Sequence, residues 1–309
     1  MNPVMFFTGQ GAQAVGMGKA LYSHYPVVRE VFELASDLSG MDLAALCFNG
    51  PRAALNSTKN TQPAIYTLSF AIYRVLAERG IVPKFVAGHS LGELTALTAV
   101  GCLDFSQGLH LVHARARLME AAFDNMEVAM AAVENVSAEE IQGWIDNTVG
   151  ASVWIANLNA PNQTVVSGTT AAVNRLAEQA QAASAKITRL QVSGAFHTPL
   201  LSEAGVEFAR LIDKTELRAP SCPVIGNVSA TPLTTTEAIY AELVAQMCSP
   251  VQWTRSIQYI LAQGSSFFIE VGPGKILKGL MLRNSRESVC RSSETPRDIE
   301  ALPLLEEAA

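Results

Sequence analysis

Residues 85–94 read FVAGHSLGEL. A short apolar run enters Gly-His-Ser-Leu-Gly, and a long Ala- and Leu-rich stretch leaves it. A serine with glycine two places to each side, between a strand and a helix, fits two readings. One is an ordinary strand-to-helix turn. The other is a nucleophile elbow, in which a sharply bent backbone presents the hydroxyl at the C-terminal end of a strand, over a helix N-terminus.

The surrounding pattern supplies the rest of an α/β unit. VMFFTG (4–9) predicts a strand running into glycines, and AIYTLSFAIYRVLAE (64–78) a buried helix with Pro63 in its first turn. FVAG (85–88) predicts a strand, with helices from Leu91 and over 105–123. Strand, helix, strand, helix argues for a parallel sheet covered by helices.

The rhythm changes over 127–193. VAMAAVEN predicts a strand, SAEEIQGWIDN a helix opened by a Ser137/Glu140 capping box, VWIANLN and QTVVSG two strands, 170–183 a helix, and KITRLQVS a strand. That is β-α-β-β-α-β, the ferredoxin-like order. The first pattern then resumes, with a helix over 199–214, a strand at 223–227, a helix over 236–248, a strand in 265–274 that closes on glycines, and a helix beginning KILKGLMLR. The expected fold class is α/β: a large hydrolase-like subdomain with a parallel sheet and an elbow (1–126 and 197–284), carrying an inserted ferredoxin-like subdomain (127–196). Residues 285–309, charged and poorly patterned, are expected to form a mobile tail.

Bulk properties exclude several function classes. The 309 residues are 49% hydrophobic, enough for a sizeable core. A net charge of −6 lacks the basic surplus that nucleic-acid binding requires, so no nucleic acid is expected as a partner. No apolar run reaches membrane-spanning length, and MNPVMFFTGQGAQ lacks a signal peptide's basic start and apolar stretch. The five cysteines are scattered, without CxxC or a Cys/His cluster, which argues against disulfide and metal roles. The expectation is a cytoplasmic protein, with no metal and no membrane.

A nucleophilic serine needs a base. His24 lies in a polar N-terminal helix. His110 and His113 fall on the side of the 105–123 helix away from its apolar stripe. His89 adjoins Ser90 but points to the other side of the bend. His197, in VSGAFHTPL, follows a strand and a glycine in a loop before a helix, where catalytic groups tend to sit. Elimination favours His197, against an ordinary surface or core histidine. Backbone N–H groups for an oxyanion would come from Leu91, just after the serine, and from Gln10 in the strand-end loop FTGQG, unless that loop is only a flexible turn.

The 105–123 helix carries an anomaly. At 100° per residue, Leu111, Val112, Leu118, Met119 and Ala122 form one apolar stripe with Arg115 in its middle, while Arg117 falls opposite with His110, His113 and Glu120. A guanidinium turned inward needs an anionic partner. That partner is either an internal Asp or Glu, or a ligand carboxylate held bidentately.

FTGQGAQ (7–13), TQPA (61–64), GHSLGE (88–93), RARLM (115–119), IANLNAPNQTVVSG (155–168), GAFHTPL (194–200), SPVQW (249–253) and EVGPGKIL (270–277) occur in this order. Together they resemble the malonyl-CoA:acyl-carrier-protein transacylases of fatty-acid and polyketide synthesis, over nearly the whole chain to about residue 283. The resemblance implies Ser90 as nucleophile, His197 as its base, and Gln10 and Leu91 as oxyanion donors. It implies Arg115 as the grip on a malonyl carboxylate. Gln246 matches the position whose main-chain carbonyl orients the histidine, which makes a dyad without an acidic third member. Gln62, Met119, Asn157 and Asn159 match positions lining the acyl or pantetheine channel, and Phe196 a position associated with choice of malonyl over methylmalonyl. Two departures stand out: Thr8, where the family more often has Pro, and the acidic FDNMEVAM (123–130), where a Gly/Pro-rich link is commoner.

The resemblance also implies ping-pong transfer from malonyl-CoA to a carrier-protein thiol, no cofactor, and a monomer. Because carrier proteins are acidic, Lys275, Lys278, Arg283 and Arg286 form a candidate docking cluster, against an ordinary solvated helix face. Two rival readings of the same residues are an acyl hydrolase that clears carrier proteins, which has no use for Arg115, and a catalytically silent docking protein.

Overall fold

The computed structural model describes residues 2–149 and 152–303. Among the described residues, ten strands form two sheets. The larger contains β1 (Val4–Phe7), β2 (Phe85–Gly88), β7 (Val224–Ile225), β8 (Pro232–Leu233), β9 (Phe267–Val271) and β10 (Val289–Ser292), in the order β10-β9-β1-β2-β7-β8. All its pairings are parallel except β7 with β8. β1 lies between β9 and β2, with Val4 in register with both Phe85 and Phe268.

The VMFF sequence of β1 is a continuous apolar run because both faces of a parallel sheet are covered. Met5 and Phe7 enter one core, and Val4 and Phe6 enter another on the opposite face. There the Phe6 ring lies 5.0 Å from Trp253 and 5.1 Å from Phe268. The smaller sheet contains β3 (Val128–Glu134), β4 (Val153–Ala160), β5 (Gln163–Thr169) and β6 (Lys186–Arg189), all antiparallel, in the order β4-β5-β3-β6. With helices Ala138–Trp144 and Thr170–Ala182 as its crossovers and a core of its own, it is the ferredoxin-like unit. Ser137 opens the first of these helices by accepting from the Glu140 N–H.

Two main-chain bonds tie this unit to the rest: Leu158 N–H to Val251 O at 2.8 Å and Val251 N–H to Ala156 O at 2.9 Å. The SPVQW segment therefore pairs alongside β4 across the junction, in a parallel bridge between Val251 and Asn157. The acidic link 123–127 is anchored by a buried Phe123.

Two expectations need correction. Pro63 is not in a first turn. The helix runs Thr58–Glu78, and Pro63 lies inside it, in the second turn, so the helix forgoes the bond that an N–H there would make to the Lys59 carbonyl. The stretch after 284 is not a mobile tail in its described part. β10 adds the edge strand beside β9, and helix Pro296–Glu300, opened by a Thr295/Asp298 capping box, buries Ile299, with Leu302 buried just after it. The strand is short and alternates exposed Val289 and Arg291 with buried Cys290 and Ser292, so its apolar signal is weak. Residues 304–309 of the expected tail lie outside the described residues.

Candidate active site

β2 ends at Gly88, and helix Leu91–Ala99 begins after His89 and Ser90. Ser90 enters the helix with φ 53° and ψ −109°, a conformation costly for a residue with a side chain. Both flanking glycines are required by close approach. A Cβ on Gly88 would sit 1.9 Å from the Gly92 carbonyl, and one on Gly92 would sit 2.1 Å from Phe7 O. The bend is held by Ser90 N–H to Asn227 Oδ1 at 2.7 Å, Gly92 N–H to His89 O at 3.0 Å, and His89 N–H to Phe7 O at 3.1 Å. This is a strained elbow, not an ordinary turn.

The Ser90 hydroxyl oxygen lies 2.7 Å from His197 Nε2. His197 is buried, with φ 59°, and its Nδ1 lies 3.0 Å from Gln246 O. A carbonyl only accepts, so in the neutral ring Nδ1 carries the hydrogen and Nε2 is free to accept the serine proton. Burial, and then the Arg115 charge, push the imidazole down to about 3. The histidine therefore stays neutral at physiological pH. Such a pair can deprotonate the serine as it attacks an electrophile. His89 instead bonds Asn159 Oδ1 at 2.9 Å and packs against Trp253; contrary to expectation, it borders the same cleft as Ser90 and His197.

The loop after β1 lies against the elbow: a Cβ on Gly9 would be 2.3 Å from His89 O. Gln10 follows in that loop, and Leu91 is the first residue of its helix. Among the described residues neither main-chain N–H has a protein acceptor. Thr8 keeps the loop on the sheet by donating its N–H to Val271 O at 3.2 Å, a bond that proline could not make.

Arg115 is 1% exposed, and Arg117 is exposed, as the helical wheel requires. Leu111, Val112 and Met119 share its buried face, while Leu118 and Ala122 are half-buried. His113 departs from expectation: it is half-buried, with Nε2 unpartnered and its pKa pushed down to about 4 by burial and by Arg117. The Arg115 guanidinium donates to Gln62 Oε1 at 2.8 Å, to Gln246 Oε1 at 2.8 Å and to Ser90 Oγ at 3.1 Å. These three bonds occupy part of its five N–H groups, and Nε has no partner. Its partners are neutral amides and a hydroxyl, so the internal ion pair is not formed directly.

A carboxyl group lies one residue further on, past Gln246. Glu93, 0% exposed, accepts at Oε1 from the Asn227 main-chain N–H at 2.7 Å and from Asn227 Nδ2 at 3.0 Å. At Oε2 it accepts from Gln246 Nε2 at 2.7 Å. Burial first, and then the Glu242 carboxylate, hold its pKa well above the usual carboxylate range, against the opposing pull of these donors and Arg115; its oxygens nonetheless meet only N–H groups, the arrangement of an acceptor carboxylate. Sequence reasoning missed Glu93 and Asn227 as site residues. Glu93 had a signal: it is a carboxylate on the first turn of a helix whose other positions are almost all apolar or small. Asn227 had one too, because it follows β7 at the same sheet end as the elbow.

A cleft of about 450 Å³ opens over Ser90 and His197, and its walls include Gln10, Gln62, Met119, Asn157, Asn159 and Phe196. Phe196 is held by the Phe123 ring at 6.2 Å. Asn157 and Asn159 arrive on β4, so the ferredoxin-like unit forms one wall. Arg115 lies behind Ser90 and Gln62, bonded to both. Among the described residues no cluster of His, Cys, Asp and Glu could hold a metal ion, and no helix is long and apolar enough to cross a membrane. Lys275, Lys278, Arg283 and Arg286 are exposed, while Ile276, Leu277 and Leu280 between them in sequence line the cleft, and Arg283 pairs with Glu134 at 2.7 Å.

The acyl transferase domain family matches residues 4–300. The chain is 38% identical to the malonyl CoA-acyl carrier protein transacylase of Bacillus subtilis (strain 168), over 97% of this chain and 96% of that one. It is 41% identical to the protein of that name from Escherichia coli (strain K12), over 90% and 91%. The solved complex PlMCAT:AntF, a type II polyketide synthase acyl-carrier protein with its malonyl-transacylase, superposes with a TM-score of 0.95 at 36% identity, covering 99% of this chain and 100% of that one. With its elbow, its Ser-His pair and its inward arginine on that shared fold, the chain belongs to the acyl transferase family and, within it, to the malonyl CoA-acyl carrier protein transacylases.

Proposed function

We propose that this protein transfers a malonyl group from malonyl-CoA to the phosphopantetheine thiol of an acyl carrier protein, through a malonyl-Ser90 ester. One observation carries the reading: a buried guanidinium without a carboxylate partner, 3.1 Å from the hydroxyl of a strained serine.

Ser90 Oγ attacks the thioester carbonyl carbon while His197 Nε2 takes its proton. The main-chain N–H groups of Gln10 and Leu91 receive the oxyanion. The C–S bond then breaks, and His197 returns the proton to the departing CoA sulfur. In the second half, the carrier thiol gives its proton to His197 and its sulfur attacks the ester. The Ser90–acyl bond breaks, and the serine recovers its hydrogen. The Gln246 carbonyl holds the imidazole tautomer throughout. Every proton and electron pair stays on these groups, so the scheme needs no cofactor.

Arg115 binds the malonyl carboxylate, and Gln62, Met119, Asn157, Asn159 and Phe196 line the channel for the acyl group and the pantetheine arm. An acetyl donor leaves the guanidinium's charge without an anionic partner in a dry site, so it is disfavoured. Taken as 1–126 with 197–303 and an inserted 127–196, the two units have the cleft between them, with Asn157 and Asn159 on the wall of the inserted one. The exposed Lys275, Lys278, Arg283 and Arg286 form the surface for an acidic carrier, and the compartment is the cytoplasm.

The test is steady-state transfer to a carrier protein from malonyl-CoA and, separately, from acetyl-CoA. A kcat/KM for malonyl-CoA at least about a hundredfold above that for acetyl-CoA is expected. Equal values, or hydrolysis without transfer, would overturn the proposal, and hydrolysis would point to the carrier-clearing activity.

A further inference from the structure

Glu93 has no place in the scheme above, yet it lies at the centre of the polar network beneath the site. Its carboxylate is fully buried, and each oxygen faces only N–H donors: Asn227 at Oε1 and Gln246 at Oε2. Asn227 uses its other atoms on the elbow. Oδ1 accepts from Ser90 N–H at 2.7 Å, and Nδ2 also donates to Gly88 O at 2.6 Å. Gln246 uses its other atoms on the elbow and the arginine. Nε2 also donates to Ser90 O at 2.8 Å, and Oε1 accepts from Arg115 at 2.8 Å.

An amide is asymmetric, so which end faces a neighbour matters. A carboxylate that accepts on both oxygens obliges both amides to turn their NH2 groups toward it. Their oxygens must then face the other way, one onto the Ser90 N–H and one onto Arg115. We infer that Glu93 is the positioning residue of this site: it fixes the amide orientations of Asn227 and Gln246 and thereby sets both the elbow and the guanidinium. Because Gln246 stands between them, Glu93 acts on the arginine through the amide without occupying its N–H groups. The guanidinium stays open to an incoming carboxylate, where a direct ion pair would close it.

Glu93→Gln tests this at near-constant shape. The substituted side chain has one oxygen, and the Asn227 main-chain N–H cannot turn away, so that oxygen goes to Asn227. The new NH2 group then opposes Gln246 Nε2. Gln246 must either keep two donors in opposition or turn over and set its own NH2 against Arg115. Either outcome dislodges the guanidinium.

This inference rests on the transferase reading, and its readout is the ratio of kcat/KM for malonyl-CoA to that for acetyl-CoA. Glu93→Gln is expected to lower that ratio at least about tenfold, and Gln246→Leu, which removes the amide and keeps the main-chain carbonyl, is expected to do the same. The double variant should lie within about twofold of the worse single one, since both changes break one relay. A purely structural residue would lower both donors together and leave the ratio alone. An unchanged ratio in a variant that melts cooperatively, or losses that multiply in the double variant, would overturn the inference. If Glu93→Gln does not fold, Gln246→Leu decides alone: a retained ratio overturns the relay. A wild-type enzyme that does not discriminate between the donors overturns the transferase reading itself, a result distinct from a discriminating wild type whose variants keep the ratio.

Discussion

Replacing Arg115 with alanine removes three bonds seen in the structure and the charge behind the cleft. For a donor with a terminal carboxylate, the variant loses a charge-assisted bidentate contact. At roughly 1.5–3 kcal/mol per bond to a charged group, two bonds are worth about 3–6 kcal/mol. That is about a hundredfold to ten-thousandfold in kcat/KM. An acetyl donor loses only the Arg115–Ser90 contact, about 1 kcal/mol, or about fivefold. It also gains a more basic His197, since Arg115 is one of the forces holding that imidazole down. The malonyl-to-acetyl ratio should therefore fall by about twentyfold to two-thousandfold. Two amide oxygens, on Gln62 and Gln246, lose their donor in this variant, while a desolvated cation is relieved. Rates must accordingly be normalised to the folded fraction, measured by thermal melting in the same buffer. The assay is rapid-quench acylation of the enzyme by each CoA ester, followed by transfer to a carrier thiol. Equal losses for both donors, after that normalisation, would refute the assignment of Arg115 to the carboxylate.

Other outcomes follow from the same geometry. Because His197 is held down to about 3, it stays neutral well below the ordinary histidine range, so kcat/KM should be level from about pH 8 to about pH 5; an acid limb near about 6.5, the ordinary histidine value, would contradict this, and Arg115→Ala should move the limb upward. The same depression acts on stability. The unfolded chain takes up a proton below about 6.5 and the folded chain does not, so this group costs up to about 1.4 kcal/mol per pH unit as pH falls from there toward 3, a slope that His197→Gln should lessen in urea melts. Gly92→Ala drives a Cβ toward Phe7 O and should destabilise the fold by about 3 kcal/mol in chemical denaturation, where an unchanged midpoint would contradict the elbow packing. Charge reversal at Lys278 and Arg286 should raise the KM for the carrier protein several-fold and leave that for malonyl-CoA alone; unchanged values would remove the docking cluster.

Much of the fold could be read because its strands are short apolar runs ending in glycines, and its helices carry regular stripes. The elbow, the ferredoxin-like order and the inward face of Arg115 all rest on such local patterns. What escaped was long-range. β10 pairs at an edge, where only alternate residues are buried, so the four residues of VCRS carry little apolar signal. The start of the Thr58–Glu78 helix was obscured by Pro63, a residue that normally marks a helix's first turn but here lies in the second. Arg115 could be seen to need a partner, but not which one. The answer depends on Gln62, 53 positions away, and Gln246, 131 positions away, meeting it across the core. Glu93 and Asn227 matter through contacts 134 residues apart, which no local window reports.

The most direct test of the central claim is the intact mass of the protein after brief mixing with malonyl-CoA and, separately, with acetyl-CoA. The expected result is a malonyl adduct that is absent in Ser90→Ala, that moves to an added carrier protein, and that far exceeds the adduct from acetyl-CoA. A malonyl adduct that persists in Ser90→Ala, or no adduct from either donor, would contradict a malonyl-Ser90 intermediate.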